Sequence, residues 1–256
     1  MRAVMSTTLH RVLPPVALLI ALLAIWQIAT EVGQIPAFLL PSPFAIVDEL
    51  VTFLPAISSA TWVTGGNALV GLIAGAVLGI LVALVAAFVR LIDSLLAPLV
   101  AAIAVVPIVA LAPILYSMFG ANSELSRQII AAIAVFVPVF TNTLRGLGQV
   151  LPVQRDLMRA YAASPFQIAR TVTIPAALPF VFTGLRIASS LAVISALIAE
   201  YFGGPRTGIG SFITTAASGS NYSRAWAYVV GAIALGLLFY GITLALETFA
   251  SRHRRR

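Results

Sequence analysis

The sequence predicts an all-α integral membrane protein with six transmembrane helices. Three observations carry that reading. Of the 256 residues, 61% are hydrophobic and only 9% are charged, whereas soluble domains run near about 45–50% apolar and about 25% charged. Mean hydropathy is +1.06. The apolar residues also fall into separate runs, each close to the roughly 20 residues a helix needs to cross a bilayer. A water-soluble core of this length cannot hide so much apolar surface, so lipid must be the solvent for most of the chain.

The six runs lie at about 12–30, 62–89, 95–118, 128–148, 179–199 and 226–248. The first follows a short basic start, Arg2 and Arg11. No small-x-small cleavage site follows it, so it is expected to remain as an uncleaved span. Residues 31–60 form a connecting segment with Pro36, Pro41 and Pro43. An amphipathic stretch from Phe44 to Leu54 follows, with Asp48 and Glu49 on one side, and is expected to lie on the outer surface. In the second span Gly65, Gly66, Gly71, Gly75 and Gly79 offer close-packing positions. Pro107, Pro113 and Pro138 predict kinks in the third and fourth spans. Asn67 and Asn142 are candidates for hydrogen bonds across helices, with Asn142 also a candidate for the solute path.

Arginine placement fixes the orientation, because cytoplasmic segments carry the basic excess. With the N-terminus inside, the inside segments hold Arg2, Arg11, Arg90, Arg145, Arg155, Arg159, Arg170, Arg252, Arg254, Arg255 and Arg256. The outside segments hold Arg127, Arg206 and Arg224. Eleven against three places both termini in the cytoplasm. The terminal Arg-His-Arg-Arg-Arg then reads as an anchor near anionic lipid.

Arg186 falls inside the fifth span, where an unpaired charge costs at least about 2.5 kcal/mol. Its nearness to the inner boundary predicts snorkelling, and Arg186 is also a candidate for the solute path or its gate. Glu200 closes the same helix on the outer side. It is a candidate gate or substrate-orienting group, with a hydrated helix-end carboxylate as the equal alternative. Residues 200–225 form a second outside loop rich in Gly, Ser and Thr.

Several function classes are excluded. The chain has no cysteine, so disulfides, thiolate metal sites and cysteine catalysis are ruled out. The two histidines, His10 and His253, lie near the cytoplasmic ends, far from Ser211, and no lysine exists to activate a serine. No HExxH motif or intramembrane aspartate pair occurs, so no catalytic and no metal-binding residues are expected. The net charge of +7 is spread through short segments between apolar runs, without a basic helix or interleaved aromatics, so no nucleic acid is expected as partner. An ion-coupled secondary transporter is the alternative reading. It usually leaves charged groups at mid-membrane and often an internal repeat, and neither is found here.

The longest inside segment, about 149–178, is the informative one. From Asp156 it reads DLMRAYAASPFQIARTVTIPAALP. A first helix is expected to end near Ala163–Ser164–Pro165, where Ser164 caps a second helix that has Pro165 at its first position. Phe166, Ile168, Ala169 and Val172 give that helix an apolar face. Pro175 and Pro179 are expected to break the pattern and start the fifth span. Two short helices joined by a small-residue turn result. Asp156 either pairs locally with Arg155 or Arg159 or contacts a partner.

This segment resembles the cytoplasmic "EAA" loop of binding-protein-dependent importer permeases, whose pattern is Glu-Ala-Ala, three residues, Gly, nine residues, Ile-x-Leu-Pro. Asp156 takes the Glu place, Ala162 the Gly place, and Val172, Ile174 and Pro175 the closing positions, with the spacing kept throughout. Leu157 and Met158 stand in place of the two alanines. Ala163-Ser164, Pro175 to Pro179 and Thr183-Gly184-Leu185-Arg186 also match. Leu40-Pro41-Ser42-Pro43, Pro107 to Pro113 with Phe119-Gly120, and Ala199-Glu200 followed by Gly208-Ile209-Gly210 resemble the nitrate/sulfonate/taurine branch. Glu200 to Gly204 is also similar to uptake systems for thiamine-pyrimidine and riboflavin-like compounds.

The resemblance implies a type I ABC importer permease (MetI-like) fold in one domain over residues 1–256, with its core at about 60–250. It implies two permease chains, expected to be a homodimer, lining a path in the bacterial inner membrane. It implies two separate ATPase subunits, which bind ATP and Mg and grip one loop each, and a substrate-binding protein that delivers a small solute. This chain, lacking a phosphate-binding P-loop, would carry no cofactor. The coupling positions would be Asp156, Arg159, Ala162, Ala163, Ser164, Pro165, Phe166 and Pro175.

Overall fold

The structure, a computed structural model, describes residues 2–252. The arginines at 254–256, and with them the lipid anchor expected there, lie outside the described residues. Among the described residues all regular structure is helical. In chain order the helices are α1 (Arg2–Val32), α2 (Pro43–Thr52), α3 (Leu54–Phe88), α4 (Arg90–Val105), α5 (Ile108–Phe119), α6 (Leu125–Leu147), α7 (Pro152–Ala160), α8 (Pro165–Ile168), α9 (Ile174–Phe202), α10 (Ile209–Ser218) and α11 (Tyr222–Arg252). A short π-helical turn, Ala169–Thr173, joins α8 to α9. Among the described residues five helical runs are long and apolar enough to cross a membrane, six if the bent pair α4–α5 is counted as one span.

The third span is bent at Pro107, where a kink is expected, and the bend is large: α4 and α5 meet at 89°. Pro107 restricts the residue before it to extended backbone, and Val106 has φ −62° and ψ 123°. The chain therefore turns a corner there. Other boundaries move outward: α3 starts eight residues before the expected 62, because Pro55 sits in its first turn, where a missing N–H costs nothing.

The centre of the bundle is α3, α6 and α9. Lipid tails are as apolar as leucine, so helices in a bilayer associate by close packing rather than by hydrophobic exclusion. Gly71, Gly75 and Gly79 form the required groove. A β-carbon on Gly75 would lie 2.8 Å from Val135 Cβ, and one on Gly79 would lie 3.1 Å from the Phe136 carbonyl oxygen. Gly184 brings α9 against α6 in the same way, 3.0 Å from the Pro138 oxygen. A β-carbon on Gly66 would meet nothing within 4 Å, so Gly66 serves no close packing within this chain. Val135, Val139, Ala188, Ala192 and Ala196 fill the buried layer between these helices.

Around this core, α11 packs on α9, and α2 is clamped to the start of α11. Arg224 Nε donates to Glu49 at 2.9 Å, and its guanidinium stacks 3.7 Å from the Phe53 ring centroid. The amphipathic stretch is thus α2, with Ile46 buried and Phe44, Val47 and Val51 exposed. α1 contributes little to the interior. It touches the bundle through Trp26, edge-on to Trp226 at 5.5 Å, and through Gln27, which accepts from the Phe44 N–H.

Arg186 has a partner within the bundle. Its guanidinium meets Glu247 of α11 at 3.2 Å, and one turn further on Ser189 hydrogen-bonds Thr243 at 3.2 Å. The ion pair joins α9 to α11 and gives each charge an opposite partner, which lowers the cost of an arginine inside an apolar run.

Candidate functional site

Two assemblies occupy opposite ends of the bundle. At the end where α3 and α6 finish and α9 begins stands the α7–α8 loop. Helix α7 opens with Pro152 at its first position, and Gln154 accepts from the Leu151 N–H at 3.1 Å. It closes in a Schellman motif: the Ala163 N–H reaches the Met158 oxygen at 3.0 Å, and the Ala162 N–H reaches the Arg159 oxygen at 2.8 Å. That motif needs a left-handed residue at Ala162, and Ala162 has φ 55°. This is the position where the resembling loops carry glycine. The backbone shape is retained, and alanine bears a cost of about 1 kcal/mol for it.

Ser164 follows as the predicted cap. Its Oγ accepts from the Gln167 N–H at 3.3 Å, and Gln167 Oε1 accepts from the Ser164 N–H at 2.7 Å. Pro165 takes the first helical position. Pro175 stands in the first turn of α9, as expected of a span start, but the chain does not break there or at Pro179. Pro175 has no N–H to return to Thr171, so the helix widens instead, with the Ile174 N–H reaching back five residues to Ala169. From Pro165 to Phe202 the chain runs as one rod. Asp156 and Arg159 form an exposed ion pair at 3.2 Å. Tyr161 and Phe166 are 79% and 73% exposed, beside exposed Leu157 and Val153. Between this loop and the end of α3 lies a cavity of about 400 Å³, bordered by Phe88, Leu147, Arg155, Ala163, Ile168 and Thr173.

At the opposite end, Glu200 is buried, and the hydrated alternative is overturned. The Thr64 hydroxyl donates to its carboxylate at 2.9 Å, and the Gly210 N–H donates to it at 2.7 Å. The Ile209 N–H in turn donates to Thr64 Oγ1 at 2.9 Å. Thr64 from α3 and Glu200 from α9 therefore cap the N-terminus of α10, whose first N–H groups have no partner within their own helix. Gly210 admits no side chain, since a β-carbon would sit 2.8 Å from Glu200 Cβ. The two motifs Ala199-Glu200 and Gly208-Ile209-Gly210 are thus halves of one contact.

Arg127 completes this cluster. Placed by sequence among the outside arginines, it is fully buried at the start of α6. It meets Glu124 at 2.9 Å and Glu200 at 3.6 Å, and donates to the Pro205 carbonyl and to Tyr116 Oη. The Tyr116 hydroxyl donates to the Ala199 oxygen at 3.3 Å, so α5 is tied in as well. Asn67 makes the predicted cross-helix bonds, to Glu124 at 2.5 Å and from Gln128 at 3.0 Å. Asn142 does not: its amide donates to the Pro138 oxygen of its own helix at 2.7 Å. Asn142, Arg186 and Glu200 do not converge. Arg186 and Glu200 are separated along α9 by about 21 Å of helix rise.

The bundle and its two polar ends define a polytopic membrane protein with an exposed two-helix loop on one side. The chain belongs to the family of binding-protein-dependent transport system inner membrane components, the ABC transporter permeases, whose model matches residues 75–252. It is 30% identical over 93% of its length to a probable ABC transporter permease protein of Haemophilus influenzae, of which the match covers 97%. It is 32% identical to a riboflavin transport system permease of Chloroflexus aurantiacus, over 79% of this chain and 75% of that one. It is also 32% identical to a formylaminopyrimidine transport permease of Halalkalibacterium halodurans, over 79% and 80%. The fold matches a crystal structure of an amino acid ABC transporter with a TM-score of 0.60 at 16% identity, covering 80% of this chain and 96% of that one. The type I permease fold and an ATP-driven, binding-protein-dependent role follow from these likenesses.

Proposed function

We propose that this chain, as a single-domain homodimer, forms the translocation path of an importer in the bacterial inner membrane. Both termini and the α7–α8 loop face the cytoplasm, in keeping with the arginine distribution. Two separate ATPase subunits bind ATP and Mg and hold one loop each, and a substrate-binding protein supplies the solute. The solute is a small polar or heterocyclic compound of the kinds named for the relatives: an aliphatic sulfonate, nitrate, a formylaminopyrimidine or riboflavin.

The observation that carries the reading is the build of the α7–α8 loop. A Schellman stop, a capping box and a rigid continuation into α9 make a short lever fixed to a membrane-crossing rod. Exposed Leu157, Tyr161 and Phe166 give that lever an apolar surface, the kind that marks a protein contact. Ala162, Ala163 and Ser164 form its tip, with Asp156, Arg159, Pro165 and Phe166 beside it and Pro175 at its root. ATP-driven closure of the ATPase pair shifts the two levers, and α9 carries the displacement across the membrane.

Co-purification in mild detergent with the ATPase encoded beside this gene tests the proposal. Wild type retains the ATPase, and Ala163→Arg loses it while eluting as a folded membrane protein. Failure of wild type to retain an ATPase, under conditions where an established permease does, overturns the reading.

A further inference from the structure

The cluster around Glu200 is distant from the lever and is not used by it. Its geometry is specific. Helix α10 has ten residues, about 15 Å of rise, too short to cross a bilayer. Its inner face is buried through Ile209, Gly210, Ser211 and Ala216. Its other face, Thr214, Thr215 and Ser218, borders a cavity of about 370 Å³ together with Arg206 and Tyr201. The N-terminus of α10 is held through side chains of α3 and α9, at Thr64 and Glu200. The loop that leads into α10 is held by Arg127, through the Pro205 carbonyl. The Ser211 hydroxyl adds one more tie to α9, to the Glu200 carbonyl oxygen at 3.3 Å.

We infer that Thr64, Arg127 and Glu200 act as a latch that positions α10 as the closure of the path at the end opposite the lever. The inference rests on the permease reading for what passes, and on the contacts above for what holds α10. The tie at the N-terminus of α10 is polar and directional, whereas the rest of α10 packs on α11, with the Phe212 ring stacked on Tyr228 at 5.1 Å. Loss of a few hydrogen bonds therefore loosens α10 from α3 and α9, while α3, α6 and α9 stay joined to one another by interlocking small residues. Thr64 is the most selective point. Its hydroxyl both donates to Glu200 and accepts from Ile209, so one oxygen atom bridges α9 and α10. Thr64, Arg127 and Glu200 are positioning residues and need not touch the solute.

The absence of cysteine from the chain makes the test direct. Ala216→Cys places a thiol on the buried inner face of α10, and Ala188→Cys places one in the buried core of α9. Each is introduced alone into the full chain, in complex with its ATPase and reconstituted in liposomes, and labelling by a water-soluble maleimide is timed. In the wild-type background both thiols are protected. Thr64→Val, which keeps the shape and removes the hydroxyl, raises labelling at Ala216→Cys about tenfold or more, as expected for loss of a hydrogen bond to a charged group. It leaves Ala188→Cys protected. Thr64→Ser, which restores the hydroxyl, returns Ala216→Cys to protection. ATP added to the unmutated latch raises labelling at Ala216→Cys, a response that a merely structural tie does not give.

Unchanged protection of Ala216→Cys in Thr64→Val overturns the inference. Equal exposure of both thiols also overturns it, since the cluster then holds the whole bundle. So does an ATP-insensitive Ala216→Cys in a complex that retains its ATPase. Retention of the ATPase is scored separately, by the co-purification above. The latch and the permease reading therefore fail on different measurements.

Discussion

The guanidinium of Arg127 lies 3.6 Å from the carboxylate of Glu200, with both side chains fully buried. Two helices that share no sequence neighbourhood, α6 and α9, thus exchange opposite charges inside the protein. A buried pair contributes little net stability compared with an apolar replacement, but removal of one partner strands the other charge at about 3–5 kcal/mol. Arg127→Met is therefore expected to lower the unfolding midpoint in detergent sharply. Arg127→Met combined with Glu200→Gln recovers part of the loss, because no isolated carboxylate remains at position 200. A double variant no more stable than Arg127→Met refutes the assignment of the cost to the stranded charge.

Ala162 offers a test of opposite sign. Its φ of 55° is native to glycine and strained for alanine. Ala162→Gly should slow hydrogen exchange at the Ala162 and Ala163 amides, which close the Schellman motif. The relief of strain is offset by the greater freedom of glycine in the unfolded chain, leaving a net gain of about 0.5 kcal/mol. Ala162→Val, β-branched at a left-handed position, should accelerate the same exchange and weaken ATPase retention.

Glycines on α3 separate packing from propensity. A β-carbon on Gly75 would press on Val135 and on the Ala132 carbonyl of α6, while one on Gly66 meets open space. Gly75→Ala is expected to destabilise by about 1–3 kcal/mol, as overpacking does. Gly66→Ala is expected to be neutral or to stabilise by up to about 1 kcal/mol through helix propensity. Thermal unfolding of the two variants side by side decides it. Equal effects would mean that α3 and α6 can slide apart at no cost.

How far the sequence alone reaches can be seen at particular residues. Ser164 and Pro165 announce a helix start because capping chemistry is local, and the structure places both as expected. The spans are legible because a bilayer demands length and apolarity, which composition records. The kink at Pro107 was legible from the proline itself, but its size of 89° was not, since hydropathy carries no angle. Arg127 escaped for a deeper reason. An arginine three residues after Glu124, at the start of an apolar helix, reads as a rim residue. Its burial depends on Pro205, 78 positions later, folding over it. Glu200 and Gly210 were each visible as motifs, but only the fold shows that one caps the other. Arg186 was legible as costly, and its partner Glu247 lies 61 positions away, beyond any local pattern.

The pairing of Arg186 with Glu247 predicts its own rescue. Both side chains are partly exposed, at 31% and 24%, so the pair is worth less than a fully buried one and lipid surroundings set its value. Arg186→Leu leaves Glu247 unpaired beside α9 and should lower the unfolding midpoint. Adding Glu247→Gln to Arg186→Leu should restore most of it. If Glu247→Gln adds to the loss instead, the carboxylate has another partner that matters more than Arg186.

Asp156 separates folding from partner contact. Its ion pair with Arg159 is 67–70% exposed and three residues apart on one helix, a geometry worth at most about 0.5 kcal/mol. Asp156→Asn should therefore leave the unfolding midpoint unchanged within error. If Asp156 also contacts the ATPase, the same variant should retain less ATPase on co-purification, and more salt should be needed to produce the same loss from Arg159→Gln. A fall in stability without a fall in retention would assign Asp156 to the loop's own fold. A fall in retention at unchanged stability assigns it to the partner, because an exposed local pair has no other route to a long-range effect.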